Sequence, residues 1–208
     1  MTSDHQEEEE LARRWYDEKT ALMEKSLGPE HGIVMHSIIP YAVGGGLDLY
    51  YFAEGMKGTA IATKELSELP NEGSSNEVYC SYELVMFTKH PLQLDLAQNE
   101  ETDFGRVHST INSILNCIAP YSTTAILNPD ETCEFPEEME RIGGKSVIFD
   151  GYACHSAGLV QDFGLLAVIE VFRSEMEFAR RKGGAKLIKR LKSKGHYPYS
   201  DLDRDPVA

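Results

Sequence analysis

Two stretches of this chain do most to fix what it can become. "VYCSYELVMFTK" (78–89) alternates residue by residue, yet neither of its faces is purely polar. Tyr79, Ser81, Glu83, Val85 and Phe87 share one face, and Cys80, Tyr82, Leu84 and Met86 share the other. "GLLAVIEVF" (164–172) is more apolar still. Strands of this kind need cover on both sides, so these two belong deep in a sheet rather than at its rim.

The elements around them follow from changes of period. Over 6–27, Leu11, Trp15, Leu22 and Met23 fall near one helical face, and Gly28-Pro29 is a stop signal. Glu7 to Glu10 suit the positive end of that helix's dipole. "IVMHSII" (33–39) is expected to be a strand, and Gly44–Gly46 a turn into the next one. There Leu47, Leu49 and Tyr51 share one face, with Asp48, Tyr50 and Phe52 on the other. "TAIAT" (59–63) is its expected antiparallel partner, and "LPNEGSSNE" (69–77) an exposed loop.

Val107, Ile111, Ile114, Leu115 and Ile118 form a helical stripe, with Asp103 as the expected N-cap and Ala119-Pro120 as the end. Ser174 and Glu177 read as a capping box that opens another helix. Gly183-Gly184 breaks it, and Leu187, Ile188 and Leu191 resume an apolar face. Residues 120–150 have no period that orders them. The expectation is an α+β fold in a single domain: a largely antiparallel, or mixed, β-sheet flanked by helices.

Several local patterns point to chemistry and fail on spacing. Gly144-Lys145-Ser146 resembles the end of a phosphate loop, but Met139 stands where the first glycine belongs, and "VIF" reads as a strand rather than a helix. Gly44–Gly46 precede a strand, whereas a dinucleotide turn leads into a helix. Cys154-His155 is the one adjacent pair that suggests a nucleophile, but strand neighbours face opposite ways. His31 and His36 have H-x4-H spacing without a cysteine pair beside them. The closing "SDLDRDPVA" starts like a calcium loop, yet Pro206 takes the position of the required glycine and no twelfth-position glutamate follows.

Charge narrows the partners. Twenty Lys and Arg against 34 Asp and Glu give −14, a surface that repels phosphate backbones. The expected partner is therefore not nucleic acid. No apolar run approaches the roughly 18 residues that cross a bilayer, so no membrane is expected either. The acidic start "MTSDHQEEEE" lacks a signal peptide's apolar core, and Cys80, Cys117, Cys133 and Cys154 are widely spaced. These features set a cytoplasmic location with reduced thiols as the expectation.

Two longer blocks carry a family likeness. "GGLDLYYFAEGMKGTAIATKEL" and then "YELVMFTKHP" resemble the suppressor-of-fused domain, as does the closing "LLAVIEVFRSEMEFARRKGGAKLIKRLKSKGHYPYSDLDRDPV". The likeness runs from about Val34 to Val207, thinly across 120–160, and matches the family's N-terminal domain. It implies a helix (1–30) attached to a suppressor-of-fused-like domain (31–208). It also implies a non-enzymatic module, without a cofactor, that binds a protein or an extended peptide. In animals the family restrains transcription factors of the Hedgehog pathway by holding a short extended segment, in a manner resembling strand addition. Stand-alone copies look like bacterial proteins, some of them proposed to be immunity proteins that neutralise a toxin. The resemblance places Asp48, Tyr50 and Tyr51 as partner-binding residues. It also makes "YPYSDLDRDPV" a family ending that packs back on the domain, with Tyr197 and Tyr199 partly buried and Arg204 paired to a carboxylate.

Two rival readings remain open at this point. One is a hydrolase-type enzyme built on Cys154 and a remote histidine, whose thiol would have a depressed pKa. The other is a metal-binding domain.

Overall fold

The structure, a computed structural model, describes residues 2–208; Met1, at the head of the segment 1–30, lies outside them. The chain opens with α1 (Thr2–Leu27), followed by β1 (Tyr50–Phe52), β2 (Thr59–Ala62) and β3 (Ser81–Thr88). Next come α2 (Asp103–Ser122), β4 (Thr132–Glu134), β5 (Ser146–Ala157) and β6 (Val160–Val171), then α3 (Arg173–Lys182) and α4 (Gly184–Ser193). The strands form one sheet in the order β1-β2-β3-β6-β5-β4. Every pairing is antiparallel except β3 with β6, which is parallel. The sheet is thus mixed, and the fold class is the expected α+β.

The two double-faced stretches become β3 and β6, side by side at the centre. On one face Phe163, Leu165, Ala167 and Ile169 of β6 pack with Trp15, Met23 and Leu27 of α1 and with Met176, Leu187 and Leu191 of α3 and α4. On the other, Leu166 and Val168 join Tyr82, Leu84 and Met86 beneath the Ile111, Ile114, Leu115 and Ile118 stripe of α2. Each leucine, isoleucine, valine, phenylalanine or methionine among them, fully buried, stabilises the fold by about 1.5–3 kcal/mol relative to exposure.

Four local expectations are corrected. Residues 33–39 are not a strand: only Met35 bridges to Leu49, and Ile38 stands fully exposed. Among the described residues no neighbouring layer covers Ile33, Ile38 and Ile39. Thr102, not Asp103, caps α2, its side chain accepting from Gly105 N at 3.1 Å. Pro120 sits inside the last turn of α2, where its missing N–H takes one hydrogen bond from the ladder without ending the helix. The capping carboxylate of α3 is Glu175 rather than Glu177, because the helix starts two residues earlier: Phe172 N–H donates to Glu175 Oε2 at 3.0 Å.

The chain's ending packs as expected. Tyr197 and Tyr199 are half-buried, and Arg204 donates two parallel hydrogen bonds to Glu175, at 2.7 and 2.9 Å. Asp201, first in the alternating aspartates, accepts from Thr88 Oγ1 at 2.7 Å and Lys89 N at 2.8 Å. Its carboxylate ties off the end of β3.

Candidate functional site

A sheet of this order has two rims, and they are finished differently. At β1 the chain covers its own edge: His31 N donates to Tyr51 O, and Met35 and Leu49 exchange backbone bonds at 3.1 and 3.0 Å. At the opposite rim β4 is only three residues long and pairs with Ser146–Ile148 of β5. Asp130 N to Phe149 O and Phe149 N to Glu131 O extend that cover by one residue. Beyond it, Asp150–Ala157 has β6 on one side and, among the described residues, no backbone hydrogen-bond partner on the other. At about 3.3 Å per residue this open edge runs on the order of 26 Å.

Edges of that length are ordinarily blunted by lysine, proline, charge or bulges, and of these only bulges occur along the outward face here. Here the exposed residues are Gly151, Cys154, Ser156 and Ala157, small and uncharged. Two register shifts, between Gly151 and Ala153 and between His155 and Ala157, bend the strand locally.

Side chains of α1 and of the 69–77 loop hold the segment and the turn after it from behind. Where β5 turns into β6, Leu159 N donates to both carboxylate oxygens of Glu18 on α1, at 3.0 and 3.1 Å. Gln161 N donates to Asn71 Oδ1 at 2.6 Å, and His155 Nε2 lies 2.9 Å from Ser26 Oγ. On the other face the Tyr79 ring lies flat over Gly164, where an added Cβ would meet it at 2.4 Å. Any side chain at 164 would lift Tyr79 away from the strand. Burial first, and the nearby Cys154 and Asp150 next, push the Tyr79 hydroxyl up to about 12. At the near end, Lys192 Nζ reaches Asp150 Oδ2 at 3.2 Å and lies 4.2 Å over the Tyr197 ring.

Residues singled out in the sequence fall in three places. Cys154 is exposed on the open edge, and burial, then Asp162, push its thiol up. His155 is turned to α1 and makes no hydrogen bond with Cys154 among the described residues. Burial, followed by Lys25, lowers the His155 ring below its usual range. Asp48, Tyr50 and Tyr51 lie at the covered rim instead. Asp48 accepts from Ser37 N at 2.9 Å and sits 2.6 Å from His36 Nδ1. Tyr50 is buried beneath Lys64, whose Nζ is 4.8 Å from its ring centre. Tyr51 is wholly buried on the other face, its hydroxyl 2.8 Å from His108 Nε2. The three therefore do not converge on one patch.

His31 and His36 also go separate ways, since His31 Nδ1 accepts from Ile33 N and His36 pairs with Asp48. Among the described residues no group of three or more His, Cys, Asp or Glu is arranged to hold a metal ion. No helix among them is long and apolar enough to cross a membrane. The strongest polar cluster is structural: Glu83 of β3, fully buried, accepts from Lys19 Nζ at 2.9 Å, Thr63 Oγ1 at 2.7 Å and Ser67 N at 3.1 Å. The Lys19 ammonium also donates to the Lys64 and Ser67 carbonyls, so the pair is satisfied on both sides.

No family model matches the chain, and no curated protein does. Solved structures do. A chain in the crystal structure of the Sufu–Fu complex superposes with a TM-score of 0.58 at 14% identity, over 95% of this chain and 92% of that one. Drosophila Suppressor of Fused superposes with a TM-score of 0.57 at 14% identity, over 85% of this chain. This chain spans about half of that protein, 47% of its length. At such identities the likeness is one of fold.

Proposed function

We propose that this chain is a non-catalytic protein-binding module that takes an extended segment of its partner as an added strand along Asp150–Ala157. The observation that carries the reading is the unpaired edge of β5, free of lysine and proline though bent by two bulges, and tied to α1 from behind. The fold shared with Suppressor of Fused supports it, as does one neighbour's origin in a complex with a second protein. The pushed-up Cys154 thiol and the diverted His155 speak for binding over thiol catalysis.

Affinity capture from the source cells tests the reading, with the natural chain and a Cys154→Lys/Ser156→Lys double variant side by side. Both positions are exposed, so the variant should melt within a few degrees of the parent. The natural chain is expected to retain a protein that the variant loses. A partner retained equally by both would refute strand addition at this edge.

Within this reading we assign the chain the role of an immunity protein in the cytoplasm; Asp48, Tyr50 and Tyr51, at the opposite rim of the sheet, lie outside the β5 footprint. The −14 charge suits occlusion of a basic toxin surface. A captured partner that is harmless when expressed alone would remove that role and leave the binding mode standing.

A further inference from the structure

The covered rim of the sheet carries a feature that strand addition at β5 does not use. Ser37–Gly46 is an ordered loop: Gly45 N donates to Pro40 O at 3.0 Å, Gly46 N to Ile39 O at 3.1 Å, and Ser37 Oγ to Ile39 O at 2.8 Å. Gly45 passes so close to Ile39 O that an added Cβ would lie 1.8 Å from it. The same loop holds large apolar side chains out into solvent. Ile38 is 100% exposed, Val43 74% and Ile39 57%. Scattered exposed apolar residues are ordinary, but these three stand out within six residues of one well-bonded loop.

Beside the loop runs a groove of about 340 Å³, with Tyr41, Leu66 and Leu69 as apolar walls and Glu65, Glu68 and Glu72 as its charges. Among the described residues none of these glutamates is in an ion pair. The nearest lysine in sequence, Lys64, is buried and turned to Glu30 at 3.0 Å. We infer that this loop and groove are a second docking surface, made for a protein segment that carries basic side chains next to apolar ones.

Charge and shape together choose that occupant. A lysine or arginine can lay its alkyl stem on Tyr41 and Leu69 while its head reaches the glutamates. Neighbouring apolar side chains then cover Ile38 and Val43. A second copy of this chain fits poorly, since it would bring a −14 body and the same glutamates against their own image. The surface lies at the β1 end of the sheet order and the open edge towards the other end, so the two can be occupied independently.

An amphipathic peptide of lysine and leucine serves as the probe, titrated into the labelled full chain while backbone amide shifts are followed by NMR. A peptide with the same lysines and serine for leucine is the control. The Lys/Leu peptide is expected to shift residues 37–46 and 65–73. Its binding should weaken about tenfold, some 1.4 kcal/mol, in Ile38→Ser/Val43→Ser and in Glu68→Lys/Glu72→Lys. Cys154→Lys/Ser156→Lys should bind it unchanged, which separates this surface from the β5 edge. Three results would overturn the inference. The serine control could bind equally well, which would make the effect that of an acidic surface alone. The shifts could centre away from the loop. Sedimentation could instead show a dimer that Ile38→Ser/Val43→Ser dissolves, making a second copy the occupant.

Discussion

Arg204 and Glu175 hold the end of the chain onto α3 through a bidentate pair whose side chains are 3% and 0% exposed. Removing one partner of such a pair strands the other in the interior, so Arg204→Ala should cost about 3–5 kcal/mol in urea unfolding. Burial pushes the Glu175 carboxyl up, but Arg204 with the Val207 and Phe172 N–H groups outweighs it and holds the group below 4.5. The stability from this site is therefore complete above pH 4.5 and is lost as pH falls through the lowered value. His108 has the opposite chemistry and the same sign. Burial lowers its pKa below 6.5, although a bond with the Ala97 backbone works against that. The unfolded chain takes up this proton first, so stability is full above pH 6.5 and declines as pH drops below it. Comparing pH-dependent melting of the natural chain with His108→Gln should show that part of the slope vanish. Cys154 gives a third residue-level expectation. A thiol pushed up should label slowly with iodoacetamide at pH 6 and speed up only above about pH 9.

At the scale of elements, α1 is more than an attached helix. We treat residues 1–30 as a segment joined to a domain of 31–208, yet Trp15 and Met23 are fully buried in the core and Lys19 neutralises Glu83. A fragment starting at residue 31 would expose that core face and leave Glu83 charged and unpaired. It should bind ANS and lose cooperative unfolding, whereas a folded fragment would show α1 to be dispensable. The elements with strong periods were legible in the sequence: β3 and β6 through their two apolar faces, α2 through its stripe, α4 through Leu187, Ile188 and Leu191. The isoleucines of 33–39 misled because β propensity says nothing of whether a layer exists to bury them. The open edge was not legible at all. It depends on β4 stopping after three residues, and the stretch 120–150 has no period from which such a length could be read. The available signal was "GYACHSA", a strand sequence with small side chains and neither lysine nor proline, and Cys154-His155 drew attention to it for another reason.

For the whole molecule, the sheet order sets the two candidate surfaces apart. β1 and its covering loop lie at one rim, and the bare stretch of β5 lies next to the other, with β3 and β6 between them. The acidic net charge bears on both, and should make association with a basic partner faster at low salt. Backbone bonds along β5 would be less affected by salt, since they are short-ranged and leave water on binding. Raising salt is thus expected to slow association with a basic partner more than it hastens dissociation.

Amide hydrogen exchange on the complex with the captured partner tests strand addition most directly. The outward-facing amides of Asp150–Ala157 should exchange fast in the free chain and be protected in the complex, with Cys154→Lys/Ser156→Lys abolishing the protection. Protection that appears elsewhere while 150–157 stays as open as in the free chain would contradict the account.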